Sequence, residues 1–126
     1  MITQEFLSQC SDEQINRGVA WIESKKGVKA FSQRRDQLLK FTSLSVSYGL
    51  ASNFNPCVNP SDIMPIAFAN EISIEKEEGE EEWCAMSGVR YADSYYYPVR
   101  AYDIFSTNAN PYRAICEVYI LMSVNK

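Results

Sequence analysis

Apolar residues recur at helical spacing in the N-terminal part of the chain. A short amphipathic segment covers Gln4–Gln9, with Thr3 as its N-terminal cap. Over residues 12–25 the apolar positions lie four and three residues apart, and a capping box formed by Ser11 and Gln14 comes just before them. The pattern predicts two consecutive amphipathic helices.

The last part of the chain carries a third helical pattern. Asn110 is suited to cap it, and Pro111 occupies the first helical position, where proline is favoured. The apolar residues that follow form one stripe: Ala114, Ile115, Val118, Leu121 and Met122. We therefore predict a C-terminal helix that packs this stripe across a sheet.

Alternation of apolar and polar residues predicts strands in the middle of the chain. The segments are Leu44–Tyr48, Ile72–Glu75, Trp83–Met86, Tyr95–Tyr97 and Arg100–Phe105. The second and third form a predicted antiparallel hairpin whose charged tip lies near Gly79. Pro98 separates the last two and marks an edge or a bulge. Residues 28–43 show no clear period, and no element is assigned to them.

The stretch Asn53–Ile66 contains three prolines and three asparagines. Such residues specify a rigid connection rich in turns. We predict that it leads into a helix over roughly residues 63–70 with Asp62 as the cap, which places Pro65 in the first turn. A cap at Asn59 instead would put this proline in the helix interior, at a cost of about 3 kcal/mol.

Together these elements predict one α+β domain over residues 1–126. It contains a small antiparallel sheet of about four to five strands packed by three to four helices, with the C-terminal helix across the sheet. The chain has 126 residues, of which 46% are hydrophobic, enough for a real core. No apolar run approaches the ~18 residues of a membrane span, and the N-terminus lacks a secretory signal, so we expect a cytoplasmic protein without a membrane partner.

The side-chain inventory argues against an enzyme. The chain has no histidine, which removes the commonest general base and the usual activation of serine or cysteine nucleophiles. Its cysteines, Cys10, Cys57, Cys84 and Cys116, form no Cys-x-x-Cys pair and are interpreted as free, mostly buried thiols. We predict no metal site and no cofactor.

The polar residues of the proline-rich stretch have a chemical and a structural interpretation. Asn55, Asn59 and Asp62 carry oxygens that bind metals, but their spacing matches no calcium loop. Hydrogen bonding in turns and at a helix cap accounts for all three residues. Cys57 has no base to activate it, so we interpret it as a loop cysteine packed against a helix start.

Charge is distributed unevenly around a net value of −4. Residues 25–40 hold six of the twelve basic residues, and residues 71–82 hold seven glutamates and one lysine. The acidic hairpin tip at Glu75–Glu82 is interpreted as a solvated turn, with mimicry of nucleic-acid phosphates as the functional alternative. A pI of about 4.8 argues against binding of duplex DNA.

An aromatic and basic cluster is the best candidate for a functional surface. Its members are Arg90, Tyr91, Tyr95, Tyr96, Tyr97, Arg100 and Tyr102. Alternation along strands exposes about half of them, and exposed tyrosines and arginines anchor protein interfaces or stack on nucleobases. Strand aromatics that cover a core are the alternative.

Arg113 opposes the helix dipole in the first turn of the last helix, so we expect a carboxylate partner or a bound anion beside it.

Several of these motifs resemble, in sequence and in order, the NinX-like family of small bacteriophage proteins. The residues that carry the resemblance are Asn55, Pro56, Cys57, Asn59, Pro60, Asp62, Pro65, Trp83, Asn110 and Pro111, with Ser11–Ala20 and Ile72–Ile74. The likeness covers most of residues 10–20 and 53–124. Residues 28–50 do not match, and Met64 stands where we expect tryptophan. The resemblance implies a phage or prophage accessory protein in a bacterial cytoplasm, without a particular activity.

We expect a non-enzymatic protein that binds a host bacterial protein, such as a defence or regulatory factor, through the aromatic and basic cluster and the acidic hairpin. The first alternative is an oligomeric sponge that sequesters a nucleotide-like ligand. In it, tyrosines stack on the base, and Arg90, Arg100 or Arg113 holds phosphate. A nucleic-acid-associated protein is the second alternative.

Overall fold

The computed structural model describes residues 2–24, 54–92, 99–101 and 103–124. Its helices are α1 (Gln4–Ser8), α2 (Asp12–Ser24), α3 (Pro60–Ala69) and α4 (Pro111–Val124). Its strands are β1 (Ile72–Glu75), β2 (Trp83–Ser87), β3 (Arg90–Ala92), β4 (Val99–Ala101) and β5 (Ile104–Asn108). The predicted strands at Leu44–Tyr48 and Tyr95–Tyr97 lie outside the described residues, as does the unassigned segment 28–43.

The first two helices begin where the sequence predicts. Thr3 Oγ1 accepts the amide of Phe6 at 3.1 Å, which caps α1. The predicted capping box is confirmed, because the Ser11 amide donates to Gln14 Oε1 at 2.8 Å and the Gln14 amide donates to Ser11 Oγ at 3.2 Å. Both helices therefore have fixed starting positions, and their apolar faces enter one core.

Strands β1, β2 and β5 form an antiparallel sheet with β2 in the centre. The predicted hairpin is confirmed, since Ile72 pairs with Ser87 and Glu75 pairs with Cys84. Gly79 lies in the connection with φ of +87°, a conformation that glycine adopts at little cost. The hairpin therefore holds its glutamate-rich tip at one end of the sheet.

Strands β3 and β4 form a second hairpin that continues the ladder of β2 and β5. Ser87 pairs with Ile104 in the first ladder. Arg90 pairs with Ala101 in the second, three residues further along each strand. The two ladders therefore share one register, and the second hairpin extends from the end of β2 that is opposite to the acidic tip.

The prediction of a single strand over Arg100–Phe105 is wrong, because the ladder is interrupted within this segment. Across from the interruption, Gly88 has φ of +68°, and a Cβ added to it would lie 2.2 Å from Asp103 Oδ2. The Asp103 amide donates to the Ser87 carbonyl at 2.9 Å and leads into β5. The segment thus forms two short strands with a break between them. At this break Asp103 packs so closely against position 88 that glycine is required there.

Helix α4 is the centre of the fold. The sheet covers one of its faces, and α1, α2 and α3 pack on the others. Its buried residues are Arg113, Ala114, Ile115, Cys116, Glu117, Val118, Tyr119, Ile120, Leu121 and Val124. The predicted α+β fold with the C-terminal helix on the sheet is confirmed, but the single apolar stripe is wrong in extent. Helices on the far side bury the rest of α4.

Helix α3 begins earlier than predicted. Its cap is Asn59, whose Oδ1 accepts the Ser61 amide at 3.2 Å, and a proline occupies the first helical position. Pro65 therefore lies inside the helix. The prediction of Asp62 as the cap is wrong, because its carboxylate instead accepts the Asn55 amide at 2.9 Å. The earlier start leaves Asp62 to fix the preceding loop.

Glu71, at the junction of α3 and β1, has φ of +54°. This left-handed conformation costs a residue with a Cβ about 1–2 kcal/mol. We expect Glu71→Gly to raise the free energy of unfolding by about 0.5–1 kcal/mol, because the greater entropy of unfolded glycine offsets part of the gain. Urea denaturation measures the change. Glu71→Ala is the control. An equal rise of the unfolding free energy in that variant would show that the effect comes from the lost charge and not from the backbone conformation.

Tyr119 is buried on α4, and Glu23 of α2 is near enough to influence its titration. Burial, followed by the charge and hydrogen bond of Glu23, raises the pKa of Tyr119 above its ordinary value. A group whose folded pKa is raised stabilises the fold below its unfolded pKa, here about 10, and loses that contribution as the pH rises further. We expect stability to fall above about pH 10 more steeply in the wild type than in Tyr119→Phe. Urea unfolding across this range tests it, and parallel curves would contradict it.

Candidate functional site

The side chain of Asn16 makes two of the hydrogen bonds that hold the motif loop, residues 54–59, against α2. Asn16 Nδ2 donates to Asn55 Oδ1 at 2.7 Å, and Asn16 Oδ1 accepts the Cys57 amide at 2.9 Å. The Asn59 amide closes the loop by donating to the Asn55 carbonyl at 2.8 Å. The oxygens that a metal or ligand would need here are thus used to hold the loop and the helix that follows.

Asn110 connects the motif loop to α4. Its Oδ1 accepts the Tyr112 amide at 3.0 Å, which caps the helix as predicted. Its Nδ2 donates to the carbonyl of Cys57 at 2.6 Å, and Cys57 is completely buried. Two more motif residues begin elements, since Trp83 starts β2 and Pro111 starts α4. The motif is therefore a joint that fixes α2, α3 and α4 relative to one another.

Arg113 lies in the core and donates to four protein groups. Its partners are Asp12 Oδ1 at 2.6 Å, Glu117 Oε2 at 2.8 Å, and the carbonyls of Leu7 at 2.9 Å and Cys10 at 2.7 Å. Burial acts to lower the pKa of Arg113, but the hydrogen bonds to Asp12 and Glu117 outweigh it and raise the pKa. The expected carboxylate partner is present, and the guanidinium is directed at the end of α1 rather than at a ligand.

Glu117 is fully buried and is bonded at both carboxylate oxygens. Ser106 Oγ donates to Oε1 at 2.6 Å, and Arg113 donates to Oε2. The sequence analysis missed Glu117, although its position indicates this role. Glu117 lies four residues after Arg113, the spacing of a helical ion pair, inside an otherwise apolar run. Asp12 carried no such signal, since 101 residues separate it from Arg113.

The predicted aromatic and basic cluster is described only in part. In the β3–β4 hairpin, Tyr91 pairs with Arg100, and Arg90 pairs with Ala101. The register thus brings one predicted tyrosine beside one predicted arginine. The side chains of these strands lie outside the described part of the structure, as do Tyr95, Tyr96, Tyr97 and Tyr102. The binding role of this cluster stays a prediction.

The acidic tip, residues 76–82 between β1 and β2, is exposed throughout. It is a tight turn in which the Glu80 amide donates to the Glu77 carbonyl at 3.0 Å. Glutamates occupy positions 77, 78, 80, 81 and 82. The ion pairs found among the described residues involve only Arg17 and Arg113, away from this turn. The tip therefore presents a dense negative charge to solvent.

An open groove of about 860 Å³ lies beside the acidic tip. Its lining includes Glu75, Glu77, Glu80, Glu81, Glu82, Cys84, Met86 and Thr107. The last three come from β2 and β5, where Cys84 lies between Glu75 and Thr107 in the register. A lining of carboxylates with the sulfur-bearing and methyl-bearing side chains of β2 and β5 suits a lysine or arginine side chain, whose aliphatic stem packs on apolar atoms while its cation meets carboxylates.

In the part of the chain that the structure describes, fold and site define a small α+β protein with a strongly acidic groove beside the β1–β2 turn. Among the described residues, no cluster of cysteine and carboxylate side chains is arranged to hold a metal ion. None of the four described helices has the length and apolar character that crossing a bilayer requires.

The model of the family described as Bacteriophage P22, NinX matches residues 7–123. The chain therefore belongs to this family of bacteriophage proteins, and it is a phage accessory protein. The match runs through residues 28–50, where the motifs alone gave no likeness. No curated protein sequence and no solved structure matches the chain.

Proposed function

We propose that this phage accessory protein binds a basic surface of a host bacterial protein through its acidic tip. The main support is the exposure of five glutamates on one short turn, away from the ion pairs found among the described residues. Like charges at this density repel one another and lower stability. The described contacts give their carboxylates no part in folding, so we infer a function that depends on their charge.

The way the tip is held also favours recognition. Its two ends are fixed by the pairing of Glu75 with Cys84 and by the ladder that follows. A charged turn held by a paired hairpin loses little conformational entropy on binding, and its field accelerates encounter with a positive partner. The groove beside it supplies a place for one basic side chain of the partner.

The aromatic and basic cluster belongs to a different part of the surface. The acidic tip enters β2 at Trp83, whereas β3 follows its other end at Ser87. Five residues of extended strand separate the two ends by about 15 Å. A partner that contacts both must span the length of β2, so we assign the primary contact to the acidic tip.

Two triple variants test the proposal. Glu77, Glu80 and Glu81 are replaced by glutamine in the first, and Glu5, Glu13 and Glu71, which are exposed elsewhere, in the second. Each removes three negative charges. We expect the wild type and the second variant to retain the same host protein from a bacterial lysate in stoichiometric amount, and the first variant to lose it, because only the first reduces charge at the tip. Equal retention by both variants would contradict the proposal.

A nucleotide panel tests the sponge alternative in the same preparations. That alternative needs cations at a ligand site, and Arg113, one of its three candidates, donates to protein groups instead. We expect no nucleotide to raise the melting temperature of the wild type. A rise of several degrees with one nucleotide, together with no retained host protein, would favour the sponge.

A further inference from the structure

One face of the β1–β2–β5 sheet points away from α4. Ser106 Oγ donates to Glu117 Oε1 of α4 at 2.6 Å, so Ser106 faces the core. Its neighbours on β5, Phe105 and Thr107, project from the opposite face, which we call the outer face, because side chains alternate along a strand. The acidic groove lies on the outer face, since Thr107 belongs to its lining.

Phe105 is an exposed aromatic residue close to the acidic groove. Its exposed fraction is 42%. Two positions of strand, about 7 Å, separate it from Thr107 on the outer face. The acidic tip lies beyond Thr107 in the other direction, because Thr107 pairs with Cys84 and the tip ends just before β2 begins at Trp83. The outer face therefore places the groove between a phenyl ring and a group of carboxylates.

Building on the proposed function, we propose that the partner docks an extended segment on the outer face, with a lysine or arginine at one position and an apolar residue two positions away. Alternate side chains of an extended segment point to the same side and lie about 7 Å apart, which matches the spacing of Thr107 and Phe105. The cation occupies the groove and reaches the carboxylates of the tip. The apolar side chain covers the ring of Phe105.

The two contacts contribute to binding in different ways. The carboxylates of the tip attract any cationic segment, and salt screens this attraction. Burial of an apolar side chain against Phe105 adds affinity that does not depend on charge. The phenyl ring therefore selects, among basic segments, those that carry an apolar residue at the matching distance.

Three synthetic peptides of equal charge test this docking on the full-length chain. The first is Lys-Ser-Lys-Ser-Leu-Ser, in which the leucine follows the second lysine by two positions. The second replaces the leucine by serine, and the third is Lys-Ser-Lys-Leu-Ser-Ser, which turns the leucine to the other side of an extended segment. All three have blocked ends and a fluorescent label, and anisotropy measures their affinity. We expect the first to bind the wild type about tenfold more tightly than the other two.

Two variants locate the apolar contact. Phe105→Thr removes the ring and keeps a residue suited to a strand, so the first peptide should bind it no more tightly than the second does. Phe68→Gln is the matched control, because it removes a phenyl ring that is 73% exposed on α3, and it should bind the peptides as the wild type does. The melting temperature of each variant shows whether it is folded.

The outcomes separate this proposal from the proposed function. Equal affinity of the wild type for the three peptides would overturn the docking proposal, as would a leucine effect that persists in Phe105→Thr. The proposed function fails in a different way. The serine peptide would then bind the wild type and the variant with glutamine at Glu77, Glu80 and Glu81 equally well, which would also remove the basis of the docking proposal.

Discussion

Arg113→Met should lower the free energy of unfolding by about 3–5 kcal/mol, because it leaves Glu117 buried without its cationic partner. The methionine keeps most of the side-chain volume, so the loss is electrostatic rather than a cavity effect. After α1, the carbonyl of Cys10 loses its guanidinium donor as well, and the carbonyl of Leu7 keeps the amide of Cys10 as a donor. Urea denaturation followed by circular dichroism measures the change.

Glu13→Gln is the matched control for this prediction. It breaks the other arginine–glutamate pair of the described structure, which also spans four residues but in which Glu13 is 71% exposed. An exposed pair contributes about 0–1 kcal/mol, so this variant should unfold close to the wild type. A similar loss of unfolding free energy in the two variants would show that burial does not make the Arg113–Glu117 pair more stabilising than the exposed pair.

Asn110→Ala should cost about 2–4 kcal/mol, the second largest effect. The change removes the cap of α4, worth about 1 kcal/mol, and the donor to the buried carbonyl of Cys57, worth about 1–3 kcal/mol. Asn110→Ser separates the two contributions. Serine caps the helix but is too short to carry the amide donor, so it should recover about 1 kcal/mol of the loss. Equal losses in the two variants would contradict the double role.

Local chemistry made the helix starts predictable. The Ser11–Gln14 box and the cap at Asn110 depend on residues within three positions of each other, and both are present as predicted. The β1–β2 hairpin was equally local, since its alternation and the glycine at position 79 lie in one short segment. The family motif also led to the correct family.

Long-range contacts explain what the sequence did not predict. Asp62 and Asn59 are both good caps, and what separates them is the Asn55 amide that Asp62 accepts from the preceding turn. The sequence predicted one apolar face for α4, because it does not show that α2 and α3 cover the other face. Asp12 joins the ion pair of Arg113 across most of the chain, and no local pattern signals such a contact.

The family motif and the proposed binding surface therefore have separate roles. Asn55, Cys57, Asn59 and Asn110 hold the framework together through side-chain and main-chain bonds. The acidic tip stands apart from this joint, at the end of the β1–β2 hairpin. Substitutions in the motif should act on stability, and substitutions in the tip should act on binding with little effect on unfolding.

The most direct test of the proposed function is the salt dependence of the affinity for the host protein that the wild type retains. Binding through exposed carboxylates is screened by salt, so the dissociation constant should rise steeply between about 50 and 500 mM salt in the wild type. It should rise much less in the variant that lacks Glu77, Glu80 and Glu81. An affinity that does not change with salt, or that changes equally in both proteins, would contradict the account.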